Sequence, residues 1–202
     1  YYNLQKLYIA YFGRPADPSG INYWLTRLST KLTLKDISDE LSRQEEYTLS
    51  NNNNEPFESK INKVYLNLFS RKADIKSLNY WILMLNKQDC DISDFVYDLI
   101  NDSNKNIPIN CEQASKDNTV LKNKLFAAEM FTNQISKSNT LIKLYEPDSF
   151  SPWISGKALF SASNFLRNIN DKKVSVDDVN KVINSFSDTP IALLMQPAIE
   201  LK

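Results

Sequence analysis

Histidine is absent from all 202 residues of this chain. That removes the commonest general base, the usual metal ligand and the side chain that titrates near neutral pH. Ser/His/Asp and Cys/His catalysis are excluded with it. Cysteine is nearly absent: Cys90 and Cys111 cannot build a zinc site without histidine, and they are either one disulfide or two thiols. Glycine occurs three times, too sparsely for a phosphate-cradling loop. Net charge is missing as well, since 24 Lys and Arg balance 24 Asp and Glu. No field therefore draws the chain onto nucleic acid or an anionic membrane. No apolar run is long enough to span a bilayer, and no basic segment followed by an apolar stretch marks a signal peptide. The chain starts at Tyr1 rather than Met, so it is expected to be processed or cut from something longer.

What is present is a duplication. Residues 4–28 (LQKLYIAYFGRPADPSGINYWLTRL) align without a gap with residues 61–85 (INKVYLNLFSRKADIKSLNYWILML). Tyr8 pairs with Tyr65, Phe12 with Phe69, Arg14 with Arg71, Asp17 with Asp74, and Tyr23-Trp24 with Tyr80-Trp81. A repeat of this length is a duplicated supersecondary unit, and a single copy buries its apolar face only against a neighbour.

Helical periodicity runs throughout. Leu4, Leu7, Tyr8 and Tyr11 form one amphipathic stripe, which Gly13 ends as a left-handed cap. Asp17-Pro18 reads as an N-cap with proline at the first helical position, opening a helix with Ile21, Trp24, Leu25 and Leu28 inward. Thr33 with Asp36 opens a third helix, expected to end near Tyr47. The second copy repeats the plan over about Pro56–Phe69, after Asp74, and from Asp91 to Ile100. Further helices are expected behind Asn118, from Ser151-Pro152 to Ile169, over Val176–Phe186 behind Ser175, and after Thr189-Pro190 until Pro197 bends or ends the last one. The expectation is an all-α protein: two tandem three-helix repeats (1–50 and 51–103), a linker (104–118), and a C-terminal helical subdomain (119–202) packed with them.

The Gly-Arg-x-x-Asp-Pro-x-Gly-x-x-Tyr-Trp unit carries the candidate chemistry. Arg14 can bond the carbonyls ending one helix or pair with Asp17, which caps the next. In the plainer reading Arg14, Asp17 and Trp24, with Arg71, Asp74 and Trp81, weld each hairpin. In the other they hold a ligand. The second copy has Ser70, Ile75 and Ser77 where the first has Gly13, Pro18 and Gly20, yet keeps the polar pair and the tryptophan. That pattern suits an internal clamp.

The unit resembles a bacterial repeat, the domain of unknown function 4214 family, with the pattern LYxxxxGRxxDxxGxxYW. Asn123–Thr132 also resembles a stretch that often follows such repeats. The resemblance implies an N-terminal, extracellular module of an S-layer or RTX-type exported protein, distantly like phycobilisome linker domains. It implies anchoring to lipopolysaccharide O-polysaccharide or another surface polysaccharide, with neighbouring copies in a lattice; a protein–protein linker is the alternative. An enzyme is not expected, and no carboxylate-pair motif argues for one. For sugar stacking, Trp153 with Phe150 and Tyr145 in the preceding loop is the best exposed-aromatic candidate, against a plainer reading as a hydrophobic staple. The glycan-binding candidates are thus Arg14, Asp17, Trp24, Arg71, Asp74, Trp81, Tyr145 and Trp153. No cofactor is expected. Acidic spacings such as Asp91-x-x-Asp94 read as helix caps, and any calcium that organises an assembly is expected to bind outside these residues.

Overall fold

The computed structural model describes residues 1–51, 55–87, 90–101, 111–145 and 157–187, and among these residues the protein is helical with no strand. Helix α1 (Tyr2–Phe12) buries Leu4, Leu7, Tyr8 and Tyr11 and stops at Gly13, φ +64°, whose N–H donates to the Ile9 carbonyl at 2.9 Å. A Cβ at Gly13 would lie 2.9 Å from Asn67 Oδ1. Gly13→Ser is therefore expected to cost about 1–2 kcal/mol, from strain and crowding together, read as a lower urea midpoint. The second copy already carries serine there. Ser70, φ +56°, ends α5 (Phe57–Phe69), and its hydroxyl donates to the Ile169 carbonyl at 2.6 Å. One hydrogen bond of about 1 kcal/mol offsets a left-handed penalty of similar size.

The paired aspartates cap as expected. Asp17 accepts the Gly20 N–H at 2.7 Å to open α2 (Pro18–Thr30), and Asp74 accepts the Ser77 N–H at 2.9 Å to open α6 (Ile75–Leu85). Thr33 with Asp36 boxes the start of α3 (Leu34–Ser42), and Asp91 with Asp94 that of α7 (Ile92–Ile100). Helix α1 packs along α5, and α3 along α7. Ser38 Oγ donates to the Ser93 carbonyl at 3.0 Å, and Lys35 meets Asp94 at 2.6 Å across the second pair.

Three features differ from the sequence expectation. The third helix does not run on to Tyr47: Gln44 is extended at ψ 145°, and a separate α4 (Glu45–Ser50) turns back. The break sets Tyr47 edge-on to Tyr11, ring centroids 5.1 Å apart, and returns Glu46 to Arg14. The expected linker 104–118 is helix from Cys111 onward, because α8 (Cys111–Ile135) starts there. Its first turns are polar on the solvent side, held by a Glu112–Lys116 pair at 2.9 Å, and they bury Asp117. Tyr145 is not in a loop but ends α9 (Asn139–Tyr145).

Helix α8 crosses both copies, its first half on α5 and its second on α1 and α2. Helices α10 (Lys157–Asn168) and α11 (Val176–Asn184), with a 3-10 turn at Ser185–Ser187, cover its far side with α9. Phe131 meets Phe165 at 5.8 Å, and Tyr145 stacks on Phe186 at 6.3 Å. The Ser175–Asp178 capping box opens α11 as expected. The helix start at Ser151-Pro152, Trp153 and Phe150, and the segment from Thr189 through Pro197 lie outside the described residues. Cys90 is a free, half-buried thiol, and the Cys111 side chain lies outside what is described.

Lys124 of α8 is fully buried and donates to the Leu66 and Asn67 carbonyls at 3.1 and 2.6 Å, closing the carbonyl end of α5. Burial, with the charge of Arg167 adding to it, pushes its ammonium down to about 7. The folded pKa lies below the unfolded one, so the two states bind protons equally below pH 7 and the unfolded state binds more between about 7 and 10. Stability is thus expected to rise with pH from 7 to 9, by at most about 1.4 kcal/mol per unit. Urea midpoints at the two pH values check this, and Lys124→Met should flatten the rise.

Candidate functional site

The repeat's charged residues converge at the turns between first and second helices. Arg14 is 3% exposed. Its Nε and Nη2 donate to the two oxygens of Glu46, each at 2.7 Å, and Nη1 donates to Asp17 Oδ1 at 3.0 Å and the Pro15 carbonyl at 3.1 Å. The guanidinium carbon lies 5.2 Å over the Tyr8 ring and 5.3 Å over Phe12. Burial alone would lower its pKa, but the charge and hydrogen bonds of Glu46, with Asp17, outweigh it and hold the guanidinium protonated.

The second turn repeats this geometry with a different acid. Arg71 Nε and Nη2 donate to Asp117 of α8 at 2.7 and 2.5 Å, and Nη1 donates to the Lys72 carbonyl at 2.9 Å. Asp74 stands 3.8 Å away, and Tyr65 packs under the guanidinium at 5.5 Å. Behind each turn a side-chain amide closes the loop: the Ala16 N–H donates to Gln5 Oε1 at 3.0 Å, and the Ala73 N–H to Asn62 Oδ1 at 3.0 Å. Gln5 Nε2 in turn donates to Thr132 Oγ1 at 2.7 Å, and that hydroxyl donates to the Ala16 carbonyl at 2.7 Å.

Trp24 and Trp81 are core residues, 4% and 1% exposed. Trp81 Nε1 donates to the Tyr65 hydroxyl at 3.2 Å, and its ring meets Phe95 at 4.7 Å. Tyr145, expected as an exposed aromatic, is fully buried with its hydroxyl donating to the Pro15 carbonyl at 2.7 Å. It is placed beside Arg14 and Asp17 because α9 folds it in, and it offers no ring face to solvent. The structure thus brings Arg14, Asp17 and Tyr145 together at one turn, and Arg71 with Asp74 at the other. In both places their polar atoms bond other parts of the chain. Such groups rigidify a scaffold, since each buried donor has its acceptor.

Sequence reasoning missed Glu46, Asp117, Gln5 and Asn62. The last two share one position of the repeat, so the alignment held their signal. The acids do not, because one comes from α4 and the other from α8. In the first copy the motif aromatic that reaches solvent is Tyr23 rather than Trp24, about half exposed with Arg27 4.6 Å over its ring. Among the described residues no group of three acidic or thiol side chains converges as a metal site. Among them also, no helix is long and apolar enough to cross a membrane. Comparison with known protein families, with characterised proteins and with solved structures finds no match to this chain.

Proposed function

We propose that this chain is a non-enzymatic anchoring module of an S-layer or S-layer-like cell-surface protein, held to the cell by surface glycan. Lipopolysaccharide O-polysaccharide is the glycan to test. In this reading two tandem three-helix repeats pack on a C-terminal helical bundle, and the outward faces bind. The supporting observation is the internal use of the repeat's charges: Arg14, Asp17 and Glu46 satisfy one another, so the motif builds a frame. A net charge of zero suits a neutral polysaccharide. On the outside of α2, Tyr23 stands with exposed Asn22 and Arg27 beside it. An aromatic ring flanked by planar polar groups is the equipment for stacking on sugar C–H faces and bonding hydroxyls.

The test is binding of the recombinant chain to lipopolysaccharide from the cell that makes it, with O-chain-deficient material as control. Binding should require the O-chain, and Tyr23→Ala should weaken it about tenfold, the effect of roughly 1.4 kcal/mol, with melting unchanged. Failure of a folded chain to bind either preparation would move the second reading, a protein–protein assembly module, to first place. That reading is favoured by α6, whose Leu83 and Ile75 face solvent where α2 has Thr26 and the buried Pro18.

A further inference from the structure

The two copies of the repeat are covered differently. In the first copy Gln5, Ile9, Ala16 and Pro18 are all buried, and α8 packs there on α1 and α2. A single hydroxyl seats that helix: Thr132 Oγ1 accepts from Gln5 Nε2 and donates to the Ala16 carbonyl. Alongside it, Tyr2 OH donates to Glu129 at 3.0 Å. The aligned residues of the second copy are Asn62, Leu66, Ala73 and Ile75, of which Asn62 and Ala73 are half-buried and Leu66 and Ile75 exposed. Leu66 is 38% exposed where Ile9 is 0%, and Ile75 is 77% exposed where Pro18 is buried. Asn62 and Leu66 of this face also line an open groove of about 310 Å³, with Pro56, Glu58, Lys63 and Lys72.

The open face also keeps the polar half of the seat. Asn62 Oδ1 takes the Ala73 N–H as Gln5 takes that of Ala16, which leaves Asn62 Nδ2 and the Ala73 carbonyl without a partner among the described residues. These are the donor and acceptor that one threonine hydroxyl bridges in the first copy. We infer that the α5–α6 face is a docking site for an amphipathic helix of a partner protein. That helix resembles the second half of α8, with a Ser or Thr inside an alanine-rich stripe and acidic residues at its flank. The hydroxyl bridges Asn62 and Ala73, the apolar stripe covers Leu66 and Ile75, and the acids meet exposed Lys72 and Lys76, whose places in the first copy are held by Pro15 and Ser19. The occupant is argued from the chain's own duplicated interface, and this docking is independent of glycan binding on α2.

The test uses the whole chain and a lactam-stapled helical peptide with the sequence of residues 123–137 (NKLFAAEMFTNQISK). Saturable binding is expected, with amide shifts at Asn62, Leu66 and Ile75 in the protein. Ile75→Glu and Leu66→Glu each should abolish it without changing the melting temperature, since both side chains reach solvent. A peptide with valine at the Thr132 position should bind about tenfold more weakly, having lost a bridging hydroxyl. Absence of saturable binding, or binding indifferent to Ile75→Glu, overturns the proposal. So does a concentration-dependent dimer of the free chain that Ile75→Glu dissolves, which assigns the face to a second copy. The Ile75→Glu variant should still bind O-chain lipopolysaccharide, so failure of the two proposals is separable.

Discussion

Glu46→Ala is expected to lower the unfolding free energy by about 3 kcal/mol or more, because it leaves the buried Arg14 guanidinium without the carboxylate that grips it at two points. Asp17 remains within 3.0 Å and keeps the cost from reaching the top of the range for a broken buried pair. The same deletion in the second copy, Asp117→Ala, should cost only about 1–2 kcal/mol. Arg71 is partly open to water, and solvent screens what the acid leaves behind. In a domain of this size the first change corresponds to roughly 6–12 °C in melting temperature and the second to a few degrees. Thermal and urea unfolding of the two variants side by side check the ordering. Replacing Arg14 and Glu46 by Met and Leu together with Asp17→Asn should recover much of the loss, since no unpaired charge is then buried and an asparagine still caps α2.

Trp81→Ala is expected to cost about 3–5 kcal/mol, the usual range for deleting a buried aromatic. The side chain is almost wholly enclosed, packs edge-on to Phe95 of α7 and gives its indole N–H to Tyr65 of α5. Deleting it therefore opens a cavity where three helices meet and leaves the Tyr65 hydroxyl short of a donor. Trp81→Phe should cost less, about 1–2 kcal/mol, because the ring contact largely survives. Urea denaturation followed by circular dichroism reads both.

The helical character and the caps were legible because they rest on local chemistry. Asp17, Asp74, Asp91 and Ser175 cap where short-range spacing says they should, and Gly13 takes the left-handed turn that only glycine adopts cheaply. What escaped was long-range. Nothing near Gln44 in sequence announces that the chain breaks there to return Glu46 to Arg14. The polar run before Asn118 reads as linker until Asp117 is seen against Arg71 of a different helix. Tyr145 reads as a loop aromatic until α9 folds its hydroxyl onto Pro15. Arg14, Asp17 and Tyr145 meet at one turn, an arrangement that no spacing in the sequence announces. Their burial is what composition and spacing could not report.

The most direct test is to measure O-chain lipopolysaccharide binding and melting temperature together for Arg71→Met and Trp81→Phe, at a temperature where each variant is still folded. If the motif is an internal lock, both variants melt lower, and binding per folded molecule stays at the level of the unaltered chain. Binding lost with melting unchanged would contradict that and put Arg71 and Trp81 in the ligand site itself.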